Sequence, residues 1–211
     1  MPPPAAEQER QILARHLPAA AVDRIMDFIR QNRVHLNITR SRRTKLGDYS
    51  WAQRGRTFDR ITVNGDLNPY RFLEVMLHEM GHHATYHQHG CRVQPHGREW
   101  QQAYARLLTA YCDCFPVEAR AAVQRYASHI PLNAAAKEEM EDLLLRYDAD
   151  YLPKEQKLLL DNLQPGTAFC LADDPRRRFR SVERRRTLWK CEEIGTGKLF
   201  LVRGAAEVRL L

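Results

Sequence analysis

Between Asn68 and Gly90 the chain is committed to one long helix, and the residues on it limit what the rest can be. Asn68 is a good cap, Pro69 suits the first helical position, and Gly90 is a natural stop. Phe72, Leu73, Val75, Met76, Leu77 and Met80 point several ways, so this helix is buried on more than one side. Polar residues on such a helix need partners, because buried charged groups are paired or bind metal. They are numerous here: six of the nine histidines, together with Cys91, fall between Val75 and Trp100.

His78-Glu79-Met80-Gly81-His82 has the pattern HExxH. Residues four apart share a helix face, about 6 Å apart along the axis, so both imidazoles can reach one zinc ion. Glu79 flanks that face, where it can take a proton from metal-bound water and return it to a leaving amine, as the general base of a metalloprotease does. A catalytic zinc takes three protein ligands and keeps one position open, so a third ligand is required. The metzincin pattern would place Gly at 85 and His at 88, and the chain has Thr85 and Gln88. His89 shares the His78 face but lies roughly 16 Å further along the axis. His96 is better placed, because the helix stops at Gly90 and Pro95 prevents immediate continuation, so a returning loop can carry it back. Glu99 is the runner-up. His83 and His87 form a second pair four apart, turned away from the His78 face and without a Glu in the catalytic position. They are expected on a polar, exposed side, with His89 as a further bystander.

Around this helix the remaining pattern is mixed. AAAVDRIMDFIRQN places Val22, Ile25, Met26 and Ile29 at helical spacing and ends near Asn32. VHLNI, KLGDYSW and TFDRITVNGDL, punctuated by Gly47, Gly55 and Asn64-Gly65, imply a short antiparallel sheet. Helices are expected beyond Pro95, with Trp100, Tyr104, Leu107, Leu108 and Tyr111 on one face, then over Pro116 to Ala127 and Ala134 to Tyr147. From Lys157 the texture changes to KLLL, TAFCL, TLWKC, KLFLV and AEVRLL. Gln164-Pro165-Gly166, an Asp173-Asp174-Pro175 turn and Gly195-Thr196-Gly197 separate them, as in a small β-domain. The expected organisation is an N-terminal tail or helix over 1–17, a main domain over 18–156 and a small basic β-domain over 157–211.

The net charge of +7 is unevenly distributed. Arg40 to Arg60 carries +5 and Arg176 to Lys190 carries +7, leaving −5 on the rest. Such a field attracts polyanions, although arginines on solvated strands also block edge-to-edge pairing. No apolar run approaches the roughly 20 residues of a membrane span, and the start lacks a signal-peptide core. A soluble, cytoplasmic protein with no membrane partner, associated with the nucleoid if it binds DNA, is expected. Five cysteines are read as free thiols, since a lone CxC at Cys112 and Cys114 is weak as a metal motif.

HEMGHH, a loop, and then HGREW resemble the SprT-like metalloproteases, a bacterial family related to Spartan. RTKLGDYSWAQRGRTFDRITVN resembles the strand pair before that family's active-site helix, and the likeness covers Val34 to Tyr147. The resemblance implies an α+β fold with a zincin-like core, one catalytic zinc on His78, His82 and His96, and Glu79 as catalytic acid/base. It implies a zinc-dependent endopeptidase with a protein or peptide substrate. Spartan relatives are DNA-dependent proteases acting on proteins crosslinked to DNA, and the basic segments here suit DNA or another nucleic acid as a partner. Many members end in a four-cysteine zinc ribbon, whereas here Cys170 and Cys191 stand alone. The hairpin RRRFRSVERRRTLWK could take over that contact through Arg176, Arg177, Arg178, Arg180, Arg184, Arg185 and Arg186, with Phe179 and Trp189 either stacking on bases or in the core. The alternative function is a zinc-containing, non-proteolytic module that binds nucleic acid or the transcription machinery.

Overall fold

The computed structural model describes residues 5–42, 44–53, 55–130, 132–149 and 158–211. The chain divides into two compact units, Met1–Tyr151 and Leu152–Leu211. The first combines helices with a small sheet and the second holds a five-stranded sheet, an α+β protein with a C-terminal β-sheet region. The expected boundary at 156/157 lies outside the described residues.

In the first unit, α1 (Ala5–Ala14) is followed by α2 (Ala19–Gln31), which buries Ala21, Val22 and Ile25 on one face and ends at Asn32. Three strands follow, β1 (Val34–Thr39), β2 (Gly47–Ser50) and β3 (Asp59–Asn64), in the order β1-β3-β2. β2 is antiparallel to β3, but β1 is parallel to it, so the sheet is mixed and not antiparallel as the sequence implied. β3 inserts between the two earlier strands, and the long connection between β1 and β3 supplies the crossover that parallel neighbours need. Strand propensity and turn residues mark where strands lie, not which neighbour each will find. The central position of β3 shows in its composition, with Ile61 and Val63 fully buried.

The helix α3 (Pro69–His89) starts and stops as its sequence dictates. The Asn68 side chain accepts from the Tyr70 and Arg71 backbone N–H groups, both at 3.0 Å. Its amide also donates to the Leu144 carbonyl at 2.8 Å and to Asp148 at 2.7 Å. One residue thus caps α3 and ties its start to the end of α6 (Ala134–Leu145). Together with α4 (Arg98–Ala110) and α5 (Val117–Ser128), these elements close one core, to which α3 contributes Phe72, Leu73, Met76 and Leu77.

In the second unit, β4 (Ala168–Leu171), β5 (Asp174–Arg185), β6 (Leu188–Glu193), β7 (Leu199–Arg203) and β8 (Val208–Leu210) pair in the order β7-β6-β5-β4-β8, all antiparallel. Two expectations fail locally. The described part of KLLL makes an isolated bridge at Leu159 and a 3-10 turn over Leu160–Asn162 instead of a strand. Asp174 and Pro175 belong to β5, the reversal having been made at Ala172 and Asp173. Pro175 is tolerated because it stands at the beginning of its strand. Phe179 and Trp189 are 2% and 4% exposed, part of a core with Leu160, Phe169 and Val208, so neither is a stacking surface. Among the described residues no helix is long and apolar enough to cross a membrane.

Candidate metal centre

α3 presents His78 and His82 one turn apart, and the chain returns to them through a tight turn after the helix ends at Gly90. Gly97 N–H donates to the Gln94 carbonyl at 2.9 Å, with Pro95 second and His96 third in the turn. His96 has φ 59°, the left-handed conformation that a type II turn requires at that place. Gly97 caps α4 and must be glycine, since a Cβ there would come within 2.9 Å of the Gln94 carbonyl oxygen. The turn aims His96 at the helix: its Nε2 is 3.0 Å from His78 Nε2 and 3.0 Å from His82 Nε2.

Packing fixes the three rings. Trp100, from the first turn of α4, has its ring centre 4.6 Å from those of His78 and His96 and 5.4 Å from that of His82. Its indole N–H donates to the His78 carbonyl at 3.4 Å. This approach needs Gly81, where a Cβ would lie 3.0 Å from Trp100 Nε1, so one variable position of HExxH is set by packing. Gln101 anchors the loop by donating to the His96 carbonyl at 2.9 Å.

The electrostatics favour neutral imidazoles. Burial, followed by the neighbouring His82 and His96, lowers His78 to about 3. Burial, then His96, lowers His82 to about 4. His96 is also lowered, by burial first and then by Lys137. The Nε2 atoms of His78 and His82 each meet that of His96 at hydrogen-bond distance, and one proton between a pair still leaves lone pairs directed at the same space. A cation at the point where they converge would use all three, and neutral nitrogen donors of this kind suit zinc. Three nitrogens within 4.8 Å of one another therefore form a donor set compatible with a metal ion. Glu99, the other candidate for third ligand, is not among them, and His89 is exposed at the helix end.

Glu79 is 6% exposed and lines the same cleft as His78, His82 and His96. Burial, then the Asp48 and Glu74 carboxylates, push its carboxyl up to about 8. A dication in the cleft would oppose that shift and favour the carboxylate. The cleft wall opposite α3 is the start of β2, where Gly47 leaves the space that Glu79 fills. A Cβ at Gly47 would stand 2.5 Å from Glu79 Oε1 and 2.7 Å from Val75 Cγ1. Asn64 holds this segment in place, accepting from Arg42 Nε at 2.9 Å and donating to the Arg42 and Lys45 carbonyls at 3.3 Å. On its other side the site opens into a cavity of 490 Å³ whose lining includes Glu74, Tyr104, Tyr126 and Lys137. There the Tyr104 hydroxyl donates to Glu74, whose carboxyl is raised by burial.

The sequence missed Gly47, which carries no motif, and it misplaced His83. That residue is buried, 4% exposed, and faces Asp59 together with the exposed His87. A helix buried on more than one side has no wholly polar flank, which was the available sign. Of the seven arginines expected to meet nucleic acid, Arg184 is held by Asp161 at 2.9 and 3.1 Å. Arg177 pairs with Glu193 and Arg185 with Glu183. Among the described residues Arg176, Arg178, Arg180 and Arg186 are exposed and form no ion pair. The five cysteines are free thiols, Cys91 exposed and the others buried.

The fold and the three-histidine cluster define an α+β chain with a preformed site able to take a metal ion. A protein-family model described as the SprT-like family matches residues 15–126, more than half of the chain, and the chain belongs to that family. Neither the curated proteins nor the solved structures contain a match.

Proposed function

We propose that this protein is a zinc-dependent endopeptidase of the SprT-like type with a zincin-like core. The carrying observation is the convergence of His78 and His82 on His96, each at 3.0 Å, in a cleft that also contains the buried carboxyl of Glu79. A zinc ion on those histidines would supply Lewis acidity to a scissile carbonyl and lower the pKa of water. Glu79, next to His78 and facing the same cleft, takes the proton of the attacking water and delivers it to the leaving amine. Trp100 and Gln101 keep His96 in place while this happens, and Gly47 leaves room for the carboxyl.

Substrates are proposed to be proteins associated with DNA. The support is the row of Arg176, Arg178 and Arg180, which alternate along β5 with the inward Phe179 and so share the outer face of that strand. Their charge suits phosphate, and phosphate contacts position a protein on DNA without reading its sequence.

The test compares wild type and Glu79→Gln for zinc content and for cleavage of a DNA-bound basic protein. Glu79→Gln should keep its metal and lose roughly 10²- to 10⁴-fold in rate, the usual contribution of a positioned general base. Equal cleavage by the two forms, or none by wild type with or without DNA, would leave the alternative, a non-proteolytic zinc-containing module.

A further inference from the structure

The HExxH motif absorbs one face of α3 and leaves its second histidine pair unexplained. His83 and His87, four apart, have ring centres 4.3 Å apart, and both face Asp59 at the first position of β3. Asp59 Oδ2 lies 2.6 Å from His87 Nε2 and 3.5 Å from His83 Nε2. One donor atom from each of the three residues falls within 4.8 Å of the others.

Hydrogen bonding alone does not satisfy this arrangement. Asp59 is 4% exposed and well supplied: Tyr49 donates its hydroxyl to Oδ2 at 2.8 Å and Ala52 its backbone N–H to Oδ1 at 2.6 Å. His83 is also 4% exposed, yet among the described residues its Nε2 has no hydrogen-bond partner. An orphaned buried polar atom costs about 1–3 kcal/mol. If Nε2 carries a lone pair, an acceptor faces a carboxylate oxygen. If it carries a proton, the Asp59 carboxylate oxygen stands at 3.5 Å and forms no hydrogen bond with it. Either protonation leaves the atom unmatched, whereas a cation among the three would turn each lone pair toward a shared charge.

We propose that Asp59, His83 and His87 form a second metal site, separate from the three-histidine centre, that takes a divalent transition-metal ion such as zinc through two imidazoles and one carboxylate. Donors on one tetrahedral zinc lie about 3.3 Å apart, given bonds of about 2.0–2.1 Å. The His83 to Asp59 separation of 3.5 Å already matches, and the exposed His87 ring has room to open from 2.6 Å. Tyr49 and Ala52 fix the carboxylate from behind, as hydrogen-bonded supports do around metal ligands. The ion clamps the start of β3 to the C-terminal half of α3, beyond HExxH, and its role is structural.

Zinc bound by the full-length protein after loading and dialysis tests this directly. Wild type should hold two equivalents and His87→Ala one, with Asp59→Asn behaving like His87→Ala. His82→Ala/His96→Ala, which removes the other centre, should retain one equivalent and still gain thermal stability on adding Zn2+. Adding His87→Ala to that pair should abolish both the remaining equivalent and the gain. The proposal is overturned if wild type holds one equivalent that His82→Ala/His96→Ala removes and His87→Ala leaves intact. Because the double variant reads the second site in isolation, failure here and failure of the peptidase reading give different patterns.

Discussion

Single atoms decide much of this site, and Gly47 is the sharpest case. Its missing Cβ is what lets the Glu79 carboxyl lie against β2, since that atom would fall 2.5 Å from Glu79 Oε1. Gly47→Ala should therefore displace Glu79 while leaving the three histidines untouched. A misplacement of about 1 Å costs on the order of 10²-fold in rate, so kcat should fall by about that factor with zinc content unchanged. Loss of zinc together with activity would show that the substitution acts on the fold and not on the carboxyl. At this scale the sequence was legible where spacing along one element carries the geometry, as for His78, Glu79 and His82. His96 was legible because Gly90 and Pro95 force the chain back. Gly47 and Asp59 were not, because their meaning lies in contacts with α3, which follows them in the chain, and no local pattern encodes such contacts.

At the level of elements, α3 is the part on which the others are assembled. Its N-terminus depends on Asn68, which caps two backbone N–H groups and bonds to Leu144 and Asp148 across the core. Asn68→Ala removes the cap and leaves the Leu144 carbonyl without this donor, so a loss of about 2–4 kcal/mol is expected, read as a lower denaturant midpoint. A loss below about 0.5 kcal/mol would mean that water replaces the amide fully. The bounds of α2, α3, α4 and α5 were readable from caps, prolines and apolar periodicity. The direction of β1 was not, because hydrophobic alternation is identical in parallel and antiparallel strands. Asp174-Pro175 misled for a related reason: a dipeptide typical of turns is equally at home where a strand begins.

Over the whole chain, two cores and an uneven charge distribution set the limits. Each compact unit has its own buried cluster, one around Phe72, Leu77 and Tyr104 and the other around Phe169, Phe179 and Trp189. The change of texture near Lys157 was legible as composition. The sorting of its arginines was not, because charge counts do not show that Arg184 is held by Asp161 while Arg178 forms no ion pair among the described residues. Reversing Arg176, Arg178 and Arg180 to Glu should weaken DNA binding and flatten its dependence on salt. Each lost phosphate contact lowers the slope of log K against log salt by about 0.9. Binding of unchanged strength and slope would return the row to a purely solubilising role.

The left-handed backbone at His96 has one more consequence. Side chains other than glycine pay roughly 1–2 kcal/mol to sit there. Glycine or asparagine would relax the loop and, in the same step, remove the nitrogen that meets His78 and His82. Relief of the backbone and loss of a nitrogen donor thus fall on one substitution, so stability and metal binding are set against each other at this residue.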